Sequence, residues 1–450
     1  MFMRTLQSSR TKICFGLRTI SCSRMHYQSV SAAPEVLLRP ITVPHKVLMS
    51  PGPSNSSPRV LAAGSLPLLG PLHSEFLQIM DECKAGIQYL FQTQNKMTLA
   101  ATAAGHGAME MACSNMVEPG DKVLVATNGL WGSRFTEMVR RHGGCPVIIE
   151  KQGKAFTPDE IERALAVNKP QLMFITHSES SSGLLQPVSN LGHLCHKYNC
   201  LLIVDSVASA GGVPLFMDKW GIDVLYTGSQ KCLSSTPVPS PISFSDRAYQ
   251  RFLNRKSKPV SYYFDLEALA NYWGCDGAPV RRYHHTAAIA AMYSLRESLA
   301  VLAEEGLVNS WKRHADCAER LRNGVRRLGL ELFIPEPEHR LPTVLAIVVP
   351  PGVDWKAVSA HLVKKYRLEV SGGLGPTAGK IWRVGLMGYN ATFQNVDKFL
   401  QVFQESLKLQ GYSPSRSSKH PTNSCFRQIE TLEADKLVIN LIFIVAILFY

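Results

Sequence analysis

A chain of 450 residues can bury more than one hydrophobic core, so two folded domains are expected. Apolar residues make up 45% and charged residues 18% of the chain, which excludes intrinsic disorder as the default. Five basic residues of the net +13 lie within residues 1–34 and a further +1 lies after residue 412, leaving +7 for residues 35–412. That part has no basic helix with interleaved aromatic residues, so nucleic acid is a poor candidate partner and small anions are better ones.

The first 34 residues have the composition of a mitochondrial transit peptide. They carry five basic residues, several serines and no acidic residue. This pattern predicts import into the mitochondrial matrix, and an unstructured cytosolic N-terminus is the alternative.

The middle of the chain alternates short apolar runs with amphipathic stretches from about residue 97. MTLAATAA, KVLVAT, CPVIIE, QLMFIT and CLLIVD are predicted as buried strands, and GAMEMACSNMV, WGSRFTEMVRRHG, PDEIERALAVN and SNLGHLCHKYN as helices. This order predicts an α/β fold with a mostly parallel sheet covered by helices on both faces. Ligands of such sheets bind at the carboxyl ends of the strands.

The first candidate site follows the strand MTLAAT. Ala103, Ala104, Gly105, His106 and Gly107 form a turn of mostly small residues that opens a helix, and a helix N-terminus suits a phosphate. A Rossmann dinucleotide loop is excluded, because a glutamate stands where the third glycine belongs.

The eleven cysteines are scattered, include no Cys-x-x-Cys pair, and indicate free thiols in a reducing compartment. One local group, His193, Cys195, His196 and Cys200, could hold zinc. The alternative reading is the end of an amphipathic helix that runs into the strand CLLIVD, and this reading fits the spacing better.

Two charged residues follow the next apolar runs. Asp205 ends CLLIVD and either caps a turn or pairs with a cation, because a buried unpartnered carboxylate is costly. Lys231 follows IDVLY and a polar TGSQ step, where an isolated lysine is normally a solvated charge. Considered with the small-residue turn, however, the two residues match pyridoxal phosphate (PLP). This cofactor needs a phosphate cradle, a carboxylate for its ring nitrogen and a lysine that forms a Schiff base.

The C-terminal part contains the strand IWRVGL, which follows the glycine-rich turn SGGLGPTAGK. Its alternation puts Trp382, Val384 and Leu386 on one face and Arg383 on the other. The linker SPSRSSKHPTNS then leads to the fourteen residues LVINLIFIVAILFY, fewer than the roughly 20 needed to span a bilayer. A marginal tail anchor, an interfacial segment and a product of alternative splicing remain open, and the chain lacks a Ser-Lys-Leu peroxisomal ending.

Nine segments together resemble the class V aminotransferases of the fold-type I PLP enzymes, and the resemblance covers roughly residues 37–412. The segments are SPGPSN (50–55), AAGHGAME (103–110), NGLWG (128–132), THSESSSG (176–183), VDSVASAGG (204–212), GSQK (228–231), YHHT (283–286), SGGLG (371–375) and WRVGL (382–386). The resemblance implies an N-terminal arm with a large PLP-binding domain at 35–304 and a small α+β domain at 305–412. The transit segment at 1–34 and the tail at 413–450 are predicted from composition instead. The resemblance also implies transamination between a small amino acid, alanine or serine, and glyoxylate or pyruvate.

The resemblance further implies roles for individual residues. Lys231 would hold the cofactor and move the substrate proton, and Asp205 would pair with the ring nitrogen. Val207 and Trp131 would pack on the two ring faces, and Arg383 would clamp the substrate carboxylate. The remaining expected cofactor contacts are Gly105, His106, Ser180 and Gln230, together with Tyr283 and Thr286, which would reach the cofactor of a second subunit in a homodimer with shared sites.

Three features depart from the family pattern. Ala104 stands where close relatives carry a serine, Cys232 replaces an alanine after the lysine, and the tail has no family counterpart. Family members in general can be peroxisomal, so that location is the alternative to mitochondria. A cysteine desulfurase on the same scaffold and a tail-anchored protein without catalysis are the rival functions. A desulfurase needs a cysteine in a mobile loop, and this sequence has no convincing one. A protein without catalysis has no need for Asp205, Lys231 and Arg383.

Overall fold

The computed structural model describes residues 31–413. The chain divides into two compact units, one ending at His45 and the other beginning at Lys46. The described part of the first unit contains a single turn of 3-10 helix, Glu35–Leu38. The predicted transit segment up to residue 30 and the predicted tail from residue 414 lie outside the described residues.

The second unit contains alternating strands and helices. The strands are β1 (Val47–Leu48), β2 (Met97–Ala101), β3 (Lys122–Thr127), β4 (Cys145–Glu150), β5 (Leu172–Thr176), β6 (Ser178–Glu179), β7 (Leu184–Leu185), β8 (Leu201–Asp205), β9 (Val224–Tyr226), β10 (Ser240–Phe244), β11 (Val344–Val348), β12 (Leu368–Glu369), β13 (Ser371–Gly372) and β14 (Ile381–Gly385). The helices are α1 (Pro58–Ala63), α2 (Ser74–Phe91), α3 (Gly105–Met116), α4 (Leu130–Arg141), α5 (Pro158–Asn168), α6 (Leu191–Lys197), α7 (Asp246–Leu253), α8 (Leu266–Tyr272), α9 (Ile289–Glu305), α10 (Leu307–Arg327), α11 (Trp355–Tyr366) and α12 (Phe393–Leu409).

The large sheet has the strand order β2-β10-β9-β8-β5-β3-β4 within the described residues. All of its pairings are parallel except those of β10, which runs antiparallel to both β2 and β9. Every residue of β2, β5, β8, β9 and β10 is buried, as expected where helices cover both faces of a sheet. The predicted α/β fold is confirmed, and the five strands and four helices expected between residues 97 and 205 are present. The prediction that CPVIIE is a buried strand was wrong, because β4 lies at the edge of the sheet and its six residues are all partly or fully exposed.

Strand β10 is the element of this sheet that the sequence did not predict. It contains Pro241, which lacks an N–H group, and two serines, so its composition is typical of a loop. It lies between β2 and β9 and is antiparallel to both, so those two strands point the same way. The carboxyl ends of β2, β8 and β9 therefore meet at one edge of the sheet.

Local capping explains where several helices begin. Thr157 and Glu160 form a reciprocal capping box at α5, in which Thr157 accepts from the Glu160 amide and Glu160 accepts from the Thr157 amide. Ser245, Asp354 and Thr392 cap α7, α11 and α12 with their side chains. By contrast, Ala104 and Gly129, the residues before α3 and α4, make no side-chain cap. The uncapped N-termini of both helices follow the carboxyl ends of their strands, β2 and β3, and so lie at the same edge of the sheet.

The C-terminal residues form most of a hydrophobic cluster that is separate from the larger cluster around the seven-stranded sheet. Strands β11, β14 and β13 form an antiparallel sheet in that order. Trp382, Val384 and Leu386 pack into this cluster with Phe399 and Phe403, so the predicted apolar face of IWRVGL is confirmed. The predicted domain boundary between residues 304 and 305 falls at the end of α9 and stays a prediction.

The predicted zinc alternative concerns the described residues, whereas the apolar tail weighed as a membrane anchor lies outside them. No helix among residues 31–413 combines the length and apolar character needed to cross a bilayer. The four residues considered as possible zinc ligands lie on α6 and just before β8, as predicted for a helix that runs into a strand. His193 contacts the Lys219 carbonyl and His196 contacts Asp223, and the described side chains contain no group of three metal-ligating residues.

Candidate active site

One cavity lies at the edge of the sheet where β8 and β9 end and α3 begins. Eight of the predicted site residues line it: Gly105, His106, Trp131, Ser180, Asp205, Val207, Gln230 and Lys231. They come from five separate segments of the chain. The fold therefore brings the small-residue turn, the carboxylate and the amine together.

Asp205 is the last residue of β8 and is 3% exposed. Its Oδ1 accepts a 2.8 Å hydrogen bond from the Val207 amide, and its Oδ2 accepts a 2.9 Å hydrogen bond from the Tyr226 hydroxyl. Asp205 thus caps a turn, yet it forms no salt bridge with any described residue. Burial raises its pKa to about 6, against the opposing effects of these two hydrogen bonds and of Lys231. Such a carboxylate is stabilised by a cationic group placed beside it.

Lys231 lies in the loop after β9, and its Nζ donates a hydrogen bond to the carbonyl oxygen of Pro51. Gly52 leaves room for the amine, because a Cβ at that position would lie 2.3 Å from Nζ. Burial, together with the charge of Arg383, lowers the pKa of Lys231 to about 8 against the opposing effects of Cys232 and Asp205. The amine is therefore neutral, and nucleophilic, at a lower pH than an exposed lysine.

The N-terminus of α3 presents unpaired donors to the same cavity. The amide groups of Gly105 and His106 have no acceptor among the described residues, and Ala104 supplies no cap. Close by, Oε1 of Gln230 is buried without a hydrogen-bond partner in the described part of the chain. An anionic group with oxygen acceptors is the natural ligand of such a helix end.

Trp131 is the second residue of α4 and is held by a hydrogen bond to Ser180. Its Nε1 donates to the Ser180 hydroxyl at 2.9 Å. The His106 ring meets the indole edge to face, with centroids 5.4 Å apart, and His106 in turn contacts Arg134 at 2.8 Å. The indole is therefore fixed in orientation, as a surface for stacking an aromatic ring requires.

Arg383 is 4% exposed and is held by two backbone carbonyls. Its Nε donates to Gly372 and its Nη1 donates to Ser180, each at 2.8 Å. Burial lowers its pKa to about 10, and the carboxylate of Glu179 opposes this shift. Arg383 does not line the cavity, although its charge is one of the effects that lower the pKa of Lys231.

These residues fit pyridoxal phosphate. Asp205 is a buried carboxylate without a cationic partner among the described residues, which suits a protonated pyridine nitrogen. Two unpaired amides at the start of α3 suit the phosphate, and Lys231 offers an amine of lowered pKa. Each interaction that the cofactor needs is offered by an atom that otherwise lacks a partner or is costly to bury.

Comparison with known proteins also indicates a PLP-binding enzyme. The family model for class-V aminotransferases matches residues 60–399. The chain belongs to the class-V aminotransferases. An alanine–glyoxylate aminotransferase of Felis catus is 51% identical over 382 residues, which cover 85% of this chain and 92% of the relative. One from Drosophila melanogaster is 49% identical over 377 residues, covering 83% of this chain and 95% of the relative.

A solved structure of an alanine–glyoxylate aminotransferase from Nostoc sp. has a TM-score of 0.81 to this chain. It is 41% identical and covers 84% of this chain and 100% of its own. This class-V aminotransferase is therefore a PLP-dependent enzyme that acts on amino acids and 2-oxo acids. The desulfurase and the non-catalytic alternatives are not favoured.

Two residues were expected to contact the cofactor of a second subunit rather than the cofactor in this cavity. Tyr283 and Thr286 do not line the cavity, and their hydroxyl groups hydrogen-bond to each other at 2.9 Å. Tyr283 is 55% exposed. The predicted contact with a second subunit's cofactor stays a prediction.

Four residues at this site had no predicted role. Tyr226 and Pro51 contact Asp205 and Lys231 directly, and Gly52 leaves space for Lys231. Glu179 is fully buried next to Ser180. The sequence could have indicated a role for Glu179, because this residue lies between a strand and a serine-rich turn and glutamates are seldom buried. Tyr226 gave no signal, because a tyrosine in a buried strand is ordinary core composition.

Proposed function

We propose that this class-V aminotransferase transfers the amino group of alanine or serine to glyoxylate or pyruvate. The observation that carries the substrate assignment is the 51% identity, over 92% of its length, to a relative named for alanine and glyoxylate. The site supports the chemistry independently, because a buried carboxylate and an amine of lowered pKa line one cavity.

Bound PLP supplies an electron sink that stabilises negative charge at the α-carbon of an amino acid. In this chain Asp205 would hold the proton on the pyridine nitrogen, and its own two hydrogen bonds would oppose transfer of that proton to the carboxylate. Trp131 and Val207 line the same cavity and would pack against the ring. The amides of Gly105 and His106 would bind the phosphate.

Lys231 would hold the cofactor through its amine, and in its neutral form this amine can accept the proton of the substrate α-carbon. Its lowered pKa makes the neutral form available near physiological pH. Arg383 binds the substrate carboxylate with the donors that its two backbone contacts leave free. By fixing the carboxylate it orients the α-carbon hydrogen toward Lys231, which is an effect on rate as well as on binding.

A homodimer with shared active sites is part of the proposal. The exposed hydroxyl groups of Tyr283 and Thr286 would complete the phosphate site of a second copy. Mixing a Lys231→Ala subunit with a Tyr283→Phe subunit tests this. Mixed dimers should recover sites that carry neither defect, whereas independent sites would give the average of the two parents.

We also propose that residues 1–34 direct the protein to mitochondria. Their basic, serine-containing and acid-free composition supports this. A fluorescent protein fused to the segment should enter mitochondria, and diffuse cytosolic or peroxisomal signal would contradict it. Fusion of residues 413–450 alone tests whether the tail binds membranes.

One spectroscopic experiment tests the proposed reaction. The purified protein should show the visible absorbance of lysine-bound PLP, lose it when alanine is added, and regain it when glyoxylate follows. Serine with pyruvate provides the second pair. A protein that binds PLP but responds to neither pair would keep the family assignment and lose the substrate assignment.

A further inference from the structure

Glu179 is a buried acidic residue at the active site for which the proposed reaction has no role. It ends β6, its exposed fraction is 0%, and it forms no salt bridge with any described residue. Burial raises its pKa to about 7, although three hydrogen bonds lower it. Such a residue is costly to keep unless its carboxylate is needed where it lies.

The carboxylate of Glu179 occupies the place of a missing helix cap. Gly129 precedes α4 and has no side chain to cap it, and a Cβ on Gly129 would lie 2.3 Å from Cδ of Glu179. Oε2 of Glu179 accepts from the Trp131 amide at 3.2 Å, and the Ser181 hydroxyl accepts from the Leu130 amide at 3.2 Å. The first two amides of α4 are thus capped by a different loop, 179–181.

This cap requires a carboxylate rather than any polar group of similar size. Oε1 of Glu179 accepts from both the amide and the hydroxyl of Ser181, at 3.0 and 2.5 Å. With the Trp131 amide, three donors therefore point at the carboxylate, which in its ionised form only accepts. A glutamine keeps the shape but places an NH₂ group against one of these donors, so at least one buried N–H loses its partner.

The same loop also holds the two side chains proposed to bind cofactor and substrate. The Ser180 hydroxyl accepts from Nε1 of Trp131, and the Ser180 carbonyl accepts from Nη1 of Arg383. Its neighbours Glu179 and Ser181 fasten the backbone of the helix that carries Trp131. A shift of this loop therefore displaces the stacking indole and the guanidinium together.

We infer that Glu179 is a positioning residue, which caps α4 from loop 179–181 and so sets the positions of Trp131 and Arg383. The inference rests on the proposed roles of those two residues. It assigns Glu179 no contact with the substrate or the cofactor. It predicts that loss of the carboxylate weakens cofactor and substrate binding together.

The test compares Glu179→Gln with Glu160→Gln in the full-length enzyme loaded with PLP. Glu160 is the matched control, because its carboxylate also closes a helix N-terminus, at α5, but contacts no residue that lines the cavity. For Glu179→Gln we expect about tenfold weaker PLP retention and a reduced visible circular dichroism of the bound cofactor. KM for alanine should rise as well. Glu160→Gln should lower only the melting temperature.

Equal melting losses for both variants, with PLP retention, visible dichroism and KM unchanged, would overturn the inference and leave Glu179 a purely structural cap. If Glu179→Gln does not fold, Ser181→Ala replaces it, since this change removes the Leu130 contact and one donor to Glu179. The same readouts and the same contrary result then apply. Retention and dichroism need no substrate, so they test Glu179 even if alanine and glyoxylate prove to be the wrong pair.

Discussion

The hydroxyl of Tyr226 donates a 2.9 Å hydrogen bond to Oδ2 of Asp205, across the pairing of β8 with β9. Both residues are buried, and the two strands place them directly opposite each other. The hydrogen bond lowers the pKa of Asp205 against the effect of burial. It therefore weakens the carboxylate as a base, which in the proposed complex with PLP would favour the proton on the pyridine nitrogen.

Replacing Tyr226 by phenylalanine should slow transamination about tenfold, because a hydrogen bond to a charged group is lost and Asp205 becomes more basic. PLP should also dissociate faster, as measured by the absorbance that remains after dialysis. Tyr272→Phe is the matched control: Tyr272 is also fully buried, and its hydroxyl donates to the Pro71 carbonyl away from the cavity. Equal rates for the two variants would remove Tyr226 from the cofactor site.

Asp205→Asn should change how the stability of the PLP-free protein depends on pH. Burial raises the Asp205 pKa from 3.8 to about 6, so the folded state binds this proton more tightly than the unfolded chain. The contribution of Asp205 to the free energy of unfolding is greatest at low pH and falls as the pH rises from about 4 to above 6. Over that range the wild type should lose about 3 kcal/mol relative to Asp205→Asn.

Melting temperatures of the two PLP-free proteins, measured from pH 4 to pH 7, report this difference. Other titrating groups cancel, because they are common to both proteins. With PLP bound the wild type should become the more stable protein at neutral pH, since the pyridine nitrogen then supplies the missing cation. Parallel curves in the PLP-free state would mean that Asp205 is not the buried acid described here.

Lys231 should set the pH dependence of PLP uptake by the PLP-free protein. Only the neutral amine can attack the aldehyde, and burial lowers the pKa of Lys231 to about 8. The uptake rate, followed by stopped-flow absorbance, should rise with pH and level off above a midpoint near 8. Lys231→Ala should take up no PLP covalently and show no transamination, while keeping the wild-type far-ultraviolet dichroism. A midpoint near 10 would show that the amine is solvated.

Sequence patterns predicted the strands and helices of this fold well where apolar runs were continuous or where apolar residues recurred at helical spacing. β8 and β9 were recognised as apolar runs, and the polar residues that follow them meet because the carboxyl ends of parallel strands share an edge. Strand β10 was missed, because Pro241 and two serines give it the composition of a loop. Its position between β2 and β9 could not be deduced from local pattern, since strand order depends on packing across the whole sheet.

The partners of the site residues were harder to predict than the residues themselves. The hydrogen bond from Tyr226 depends on the register of two strands, which the pattern of apolar residues leaves undetermined for buried strands. Glu179 contacts a helix that begins 49 residues earlier in the chain, at Leu130. Such contacts satisfy buried polar groups, and they can be identified only after the backbone has brought the donors and acceptors together.

Arg383→Lys separates the proposed substrate clamp from a role in folding. The guanidinium already donates to the carbonyls of Gly372 and Ser180 and has further donors for a carboxylate. A lysine nitrogen has three donors on one atom and cannot reach both carbonyls and a substrate in the same plane. We expect KM for alanine and for glyoxylate to rise about tenfold and kcat to fall, because the α-carbon is held less precisely. The visible absorbance of bound PLP should be unchanged.

Arg313→Lys is the matched control, since Arg313 also holds two backbone carbonyls, of Gly388 and Ala391, and pairs with Glu305 outside the cavity. It should lower the melting temperature without changing KM. If Arg383→Lys instead loses the PLP absorbance while KM stays at the wild-type value, Arg383 supports the cofactor or the fold and does not bind the substrate carboxylate.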